Sequence, residues 1–263
     1  MFTRPDSTFD LPPETVGYVL RDEAGPLHRI AKMIPSGSSV LDVGAGSGLL
    51  PRVLHAMNRE VVIDGVEPNE HAAAIAAPHY RHLYQSRAED LPQPLPNRYD
   101  FVVLADVIEH VADPLAFLRR LTDGLPRETR IVIDTPNVAF GAVRLALLKG
   151  RFDYVDSGIL ERTHLRFFTL STLEQLIAEL GMNVESLYLL QRDLLKTEMP
   201  LHHIQTDGRL MLRLLRDELA STYQFLFVLT REDVATERRT FGERLTPGEY
   251  LRWRLARVKT RLR

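Results

Sequence analysis

Short apolar runs alternate with amphipathic stretches over the first half of the chain. The runs predict five buried strands, and the stretches between them predict helices with an apolar face, over 49–57, 70–77 and 113–121. The predicted strands cover 39–43, 61–66, 82–85, 100–105 and 130–134. Strands that are separated by helices of this length pair in parallel through right-handed crossovers. The pattern therefore predicts an α/β fold.

The rest of the chain continues the pattern less regularly. Ser171 and Glu174 form a capping-box pattern and Gly181 a stop signal, which together predict a helix. Two further strands are predicted at 184–190 and 224–229, with a helix over 209–220 between them. We therefore divide the chain into a helical segment broken at Gly25-Pro26, a domain with seven strands, and a C-terminal tail, over 1–35, 36–235 and 236–263.

The stretch over 136–168 is too long for a plain connection between a strand and a helix. It is rich in aromatic and charged residues, which argues against disorder. We therefore expect it to be an insertion that caps a substrate pocket.

Composition narrows the function. The 263 residues include no cysteine, which excludes disulfides, thiolate zinc sites and a cysteine nucleophile. A net charge of −2 gives no general attraction to nucleic acid, so we expect no nucleic-acid partner. The N-terminus lacks the pattern of a signal peptide, and no apolar run approaches the roughly 20 residues that span a bilayer. We expect a cytoplasmic protein.

A glycine-rich turn follows the first predicted strand, in the run Val40-Leu-Asp-Val-Gly-Ala-Gly-Ser-Gly48. Glycines at 44, 46 and 48 allow a tight turn and the close approach of a ligand. A nicotinamide-binding turn would need glycine or alanine at position 49, which is leucine, and its pyrophosphate would be repelled by Asp42. A phosphate-binding loop would need a following Gly-Lys-Ser/Thr, which is absent. A ligand that carries an ammonium group suits Asp42.

Acidic residues follow the next strands. Glu67 ends the second strand, nineteen residues after Gly48, where a carboxylate can accept the hydroxyls of a ribose. The loop Ala88-Glu89-Asp90 follows the third strand, where it either reads an adenine edge or makes an ordinary turn. The fourth strand ends in Asp106, with Glu109 and His110 close behind, and His110 is a candidate general base.

Together these motifs resemble the class I S-adenosylmethionine-dependent methyltransferases. VLDVGAGSG, GVEPN, RAEDLP and DFVVLADVIEHVADP match the family's motifs in order, and the resemblance covers roughly residues 36–190. It implies a Rossmann-like sheet with strand order 3-2-1-4-5-7-6 and an antiparallel seventh strand. It also implies S-adenosylmethionine as cofactor, S-adenosylhomocysteine as product, and a cofactor site formed by Asp42, Gly44, Ala45, Gly46, Gly48, Glu67, Pro68, Asn69, Ala88, Glu89, Asp90, Ala105 and Asp106.

The spacing Asp106-x-x-Glu109-His110 is also similar to E-x-x-E-H in the ubiquinone-biosynthesis O-methyltransferases. That resemblance implies a divalent ion, Mg²⁺ or Mn²⁺, although the shorter Asp106 replaces the first glutamate and metal-free relatives carry Glu-His as well.

The run from Asp156 to Thr169 is similar to methyltransferases found beside bacterial glycosyltransferases. Within this run we expect His164 to be an alternative base. We expect the acceptor to contact Glu109, Tyr154, Arg162 and Arg166.

We expect methyl transfer to oxygen of a small-molecule, carbohydrate or glycolipid acceptor, in bacterial polysaccharide or secondary metabolism. The alternatives are transfer to nitrogen or carbon, a quinone precursor as acceptor, or a non-catalytic regulatory partner of a glycosyltransferase. Residues 251–263 carry six cations and no acid, with leucines and a valine on one helical face. This tail is predicted to lie on an anionic membrane, or to pack on the domain or on a second subunit of a homodimer.

Overall fold

The computed structural model describes residues 10–91, 95, 98–198, 208–252 and 254. Eight strands form one sheet, in the order β3-β2-β1-β4-β5-β7-β6-β8. The strands are β1 Ser39–Val43, β2 Val62–Val66, β3 His82–Tyr84, β4 Phe101–Ala105, β5 Arg130–Pro136, β6 Asn183–Gln191, β7 Thr222–Thr230 and β8 Glu237–Gly242. The α-helices are α1 Thr15–Arg21, α2 Pro26–Met33, α3 Leu49–Ala56, α4 Glu70–Ala76, α5 Pro114–Thr122, α6 Gly141–Leu147, α7 Leu170–Leu180, α8 Gly208–Leu214 and α9 Glu218–Ser221.

The strand order agrees with the Rossmann-like prediction for the first seven strands. β1 to β5 are parallel, and β7 runs antiparallel to both β5 and β6. The predicted number of seven strands is wrong, because β8 pairs in parallel with the outer edge of β6. β8 is polar and mostly exposed, so it lacks the apolar run that reveals a buried strand. It lies inside the range that the sequence analysis gave to the tail.

The central strands are covered on both faces, which explains their nearly continuous apolar sequences. Val40, Val103 and Val132 pack with α2 and α3 on one face. On the other face, a second cluster joins Leu41, Val102 and Ile131 to residues of α5 and α7. The sheet therefore brings the carboxyl ends of β1, β4 and β5 together on one side of the molecule, next to the first residues of β7.

Two predicted helices differ in detail. The cap of α7 is Thr169, whose hydroxyl pairs with Thr172 in a capping box, so the expected cap at Ser171 is wrong. Gly181 ends this helix in the left-handed conformation, as predicted. The helix predicted over 209–220 is broken into α8 and α9, because the Asp217 carboxylate accepts the Leu219 amide and starts a new helix.

The predicted insertion contains α6 and a buried cluster of its own. Phe140, Val143, Ile159 and Leu160 pack there with residues of α8. Two backbone bonds, from the amides of Leu165 and Arg166 to the Glu109 carbonyl oxygen at 2.8 and 3.0 Å, fasten the end of the insertion to the segment after β4.

Residues 247–252 and 254 are helical, while the rest of the basic tail lies outside the described residues, so its membrane role stays a prediction. Over the described ranges, none of the helices has both the length and the apolar character that a bilayer crossing requires.

Candidate functional site

The glycine loop between β1 and α3 is shaped to receive a ligand. Gly46 has φ of +52°, and a Cβ added there would meet no atom within 4 Å, so the space above this residue is open. Gly48 also has positive φ, and a Cβ there would lie 3.2 Å from the Ala76 Cα. The amides of Gly44 and Ala45 both donate to the Val66 carbonyl oxygen at 2.9 Å, which ties the loop to β2. The loop therefore has the form that the cofactor motif predicts.

Asp42 lies at the base of this loop and is buried. Its carboxylate accepts a hydrogen bond of 2.6 Å from the hydroxyl of Tyr80, a partner that the sequence analysis did not identify. Burial raises the pKa of Asp42 to about 7, and the charge of Glu67 adds to the rise, while the Tyr80 hydrogen bond opposes it. Asp42 can therefore change its charge near neutral pH.

Glu67 lies directly beside the glycine loop, and its contact with a ribose remains a prediction. Its two carboxylate oxygens accept the Gly46 and Asn69 amides, each at 2.8 Å. Asn69 in turn caps α4 through the Ala72 amide, and Pro68 lies between the two residues. The loop Ala88–Asp90 is a short 3-10 turn after β3, with Glu89 and Asp90 exposed. The predicted cofactor residues thus follow the adjacent ends of β1, β2 and β3.

The end of β4 joins the glycine loop to a polar network. A Cβ at Gly44 would lie 2.6 Å from Val107, so the segment after Ala105 runs against the loop. Asp106 has φ of +52°, which is uncommon for a residue with a Cβ, although aspartate adopts it more readily than most. Gln224 of β7 donates to Asp106 at 2.9 Å and to Asp134 at 3.0 Å.

Glu109 and Asp134 are completely enclosed carboxyl groups at this edge. Glu109 accepts the Thr135 hydroxyl at 3.0 Å through Oε2, whereas its Oε1 and the Oδ1 of Asp134 are buried without hydrogen-bond partners. Burial, and then the charge of Asp106, raises the pKa of both groups well above its usual range. The enclosed site therefore favours the protonated, neutral form of both groups.

The two candidate bases are brought together from distant parts of the sequence. The rings of His110 and His164 are 4.7 Å apart between centroids, in an edge-to-face arrangement. Nδ1 of His110 lies 3.3 Å from the Thr163 carbonyl oxygen, and Nδ1 of His164 lies 3.0 Å from the Ile159 carbonyl oxygen. Since a carbonyl only accepts, each Nδ1 carries the proton and each Nε2 carries the basic lone pair.

The other predicted acceptor residues do not converge on this pair. Arg162 forms an ion pair with Asp156 at 2.7 Å, and Arg166 donates to the Ala112 carbonyl oxygen. Tyr154 is 54% exposed and contacts Phe152 edge to face. These contacts stabilise the insertion, and the acceptor contacts predicted for Tyr154, Arg162 and Arg166 remain predictions.

One set of described side chains has the chemistry and spacing of metal ligands. Glu109, His110 and His164 each offer an atom within 4.8 Å of the others. The resemblance led us to expect Asp106, Glu109 and His110, an oxygen-rich set that suits Mg²⁺ or Mn²⁺. The structure instead groups a second imidazole with Glu109 and His110, and such a set favours a transition metal.

Solved structures with the same fold are methyltransferases. A SAM-dependent methyltransferase from Archaeoglobus fulgidus superposes with a TM-score of 0.55 at 18% identity, covering 86% of this chain and 97% of that one. The plantazolicin methyltransferase BamL, solved with a triazolic desmethylPZN analog and SAH, gives a TM-score of 0.54 at 14% identity over 86% and 89% of the two chains. At these identities the likeness establishes the fold.

Sequence relatives carry the name ubiquinone biosynthesis O-methyltransferase. The protein from Azorhizobium caulinodans is 32% identical over 154 residues, which is 55% of this chain and 57% of that one. The protein from Ruegeria pomeroyi is 36% identical over 122 residues, 43% and 48% of the two chains. The chain thus matches about half the length of these curated relatives.

The profile of the methyltransferase domain family matches residues 18–187, most of the chain. The match begins within α1 and spans β1 to β5 and α2 to α7, including the glycine loop and both histidines. The chain belongs to this family and is a class I S-adenosylmethionine-dependent methyltransferase.

Proposed function

We propose that the enzyme methylates a hydroxyl oxygen of a small, polar acceptor, such as a carbohydrate, bound between the end of β4 and the insertion. The pair His110 and His164 carries this proposal, because the two rings are in contact and the Nδ1 atom of each lies by a backbone carbonyl oxygen, which leaves Nε2 as the basic nitrogen. When bound, S-adenosylmethionine supplies a methyl group activated by a positively charged sulfur. The protein must then align the hydroxyl and remove its proton.

His110 has the better support for the role of base. The Thr163 hydroxyl donates to the Glu161 carboxylate and lies 3.3 Å from Nδ1 of His110. Glu161 is itself buried, which strengthens its hydrogen bond with Thr163 because little water surrounds it. The chain from Glu161 through Thr163 orients the ring of His110, as the third group of a catalytic triad does.

His164 contributes in a second way. Its ring packs against His110 and lies 6.1 Å from Phe167 between centroids. Two adjacent imidazoles repel each other when both are charged. We therefore propose that His110 accepts the proton and that His164 makes a hydrogen bond with the acceptor.

A phenolic quinone precursor is a second candidate acceptor. The names of the sequence relatives favour it, and so does the cluster of Phe152, Tyr154 and Phe167 at 5.1 to 6.4 Å beside His164, which an aromatic ring could join. A carbohydrate acceptor needs no aromatic partner, and the pair His110 and His164 serves either kind of hydroxyl. Both candidates are hydroxyl acceptors.

A panel of acceptors tests the proposal. We expect transfer of a labelled methyl group to sugars with neighbouring hydroxyls or to catechols, with the position of the new methyl read by NMR as O-methyl. Amines of the same size are the control. A product methylated on nitrogen or carbon would contradict the proposal. No transfer to any class, despite S-adenosylhomocysteine binding, would instead support a regulatory, non-catalytic role.

Metal dependence has its own expected result. We expect that a chelator leaves turnover unchanged, and that Zn²⁺ inhibits reversibly because it competes for the Nε2 atoms of His110 and His164 beside Glu109. The measurement is the initial rate after treatment with EDTA, and then with added Mg²⁺ or Zn²⁺. Loss of activity with EDTA and recovery with Mg²⁺ would show that the ubiquinone-type resemblance extends to the metal.

A further inference from the structure

Gln224 is a buried polar residue that no cofactor or acceptor motif includes. It lies on β7, opposite Pro136 of β5 and Leu190 of β6, and is 7% exposed. One nitrogen, Nε2, donates to both Asp106 and Asp134, at 2.9 and 3.0 Å. A primary amide has two N–H groups, so this arrangement uses its full donor capacity. Gln224 therefore joins two carboxyl groups that belong to different strand ends.

The two carboxyl groups differ in their exposure. Asp134 is completely buried, whereas Asp106 is exposed just after the carboxyl end of β4. Burial disfavours a charge, so of these two groups Asp106 is the one that can hold a negative charge at low cost. A hydrogen bond from Gln224 to that charged group is stronger than one to a neutral group.

Asp106 is placed where its charge matters for the cofactor. Val43 lies opposite Leu104 in the register of β1 and β4, and Gly44 packs against Val107. Asp106 is thus next to the start of the glycine loop, and its backbone is in the left-handed conformation. Its carboxylate is held by the Gln224 amide and by a side-chain hydrogen bond with Glu109.

We propose that Gln224 is a positioning residue, which holds the Asp106 carboxylate so that it recognises the positive charge on the sulfur of S-adenosylmethionine. This role would let the enzyme distinguish its cofactor from its product. S-adenosylhomocysteine lacks both the methyl group and the charge, so it would gain nothing from Asp106 and would leave after transfer. The inference rests on the family of the chain and is independent of which acceptor is methylated.

Calorimetry with both ligands tests this role. In Gln224→Met, which keeps the shape of the side chain and removes its donors, we expect S-adenosylmethionine to bind about tenfold more weakly, the effect of one lost charge contact. We expect S-adenosylhomocysteine to weaken less than about threefold. Gln191→Met is the matched control, since Gln191 is a buried glutamine on the adjacent β6 whose amide nitrogen has no partner. It should change neither constant.

The ratio of the two dissociation constants decides the outcome, because a purely structural role would weaken both ligands equally. Equal weakening, or no change, would overturn the proposal. Asp106→Asn provides a second route, since the Asp106 side chain is exposed and asparagine keeps its size. It should reduce the preference for S-adenosylmethionine to the same extent, and the double variant should lose no more. If Gln224→Met fails to fold, Asp106→Asn is sufficient as a test. An unchanged ratio of the two dissociation constants in that variant would overturn the proposal.

Discussion

Replacing both His110 and His164 by alanine is expected to lower kcat by about 10²- to 10⁴-fold, the usual contribution of a positioned general base. The two rings form one cluster in which the basic nitrogens are set by hydrogen bonds from Nδ1 to backbone carbonyls. Binding of S-adenosylhomocysteine should stay within about threefold, because the glycine loop and Glu67 are untouched. Single-turnover kinetics and calorimetry on the same preparations measure the two effects.

The single variants separate the two roles. We expect His110→Ala to account for most of the loss in kcat, and His164→Ala to raise KM for the acceptor more than it lowers kcat. Thr163→Val should fall between wild type and His110→Ala, since it removes the hydroxyl that links Glu161 to the ring.

A histidine elsewhere in the chain is the control for the two active-site variants. His28 is also buried and has its Nδ1 3.1 Å from a carbonyl oxygen, that of Val19. His28→Ala should lower stability and leave kcat unchanged. Full turnover in both His110→Ala and His164→Ala would show that neither is the base.

The unliganded protein is expected to lose about 3 kcal/mol of stability between pH 5 and pH 8 through Asp42 alone. Its pKa is about 7 in the folded chain, raised chiefly by burial, and near 4 in the unfolded chain. A carboxyl group with a raised pKa favours the folded state while it keeps its proton. That contribution is present below about pH 4 and is lost as the pH rises through 7. Glu109 and Asp134 act with the same sign.

Urea unfolding at several pH values measures this loss, and Asp42→Asn should flatten the curve. Asp64→Asn is the matched control. Burial alone would raise the pKa of Asp64, but hydrogen bonds from Arg81 and Tyr99 outweigh it and lower the pKa. The stability that Asp64 contributes is therefore lost only as the pH falls. Asp64→Asn should lower the stability, and the loss of stability between pH 5 and pH 8 should be as large as in the wild type. A wild-type stability that does not change over this range would contradict the assignment.

The local pattern of the sequence predicted the strands of the sheet centre and the motifs at their ends. Gly46 and Glu67 lie as expected because both belong to short segments with a recognisable spacing. Tyr80 and Gln224 were missed, since each acts on a residue far away in sequence and neither breaks the apolar pattern of its own element.

Side-chain direction limited the prediction within the insertion. His164 points to His110, while Arg162 pairs with Asp156, although both belong to the same short segment. Sequence alone could not separate them, because the turns of this loop are set by its packing and by the backbone bonds to Glu109.

The polar edge strand β8 also determines how much of the chain is needed to prevent aggregation. It covers the outer side of β6, and Phe241 stacks on Tyr188 at 5.7 Å while the Arg29 guanidinium lies over the ring of Phe241. A chain cut after residue 235 would retain every cofactor motif and still expose the backbone groups of a nine-residue strand. Such an open edge is a template for pairing between molecules, so this truncation would favour aggregation over catalysis.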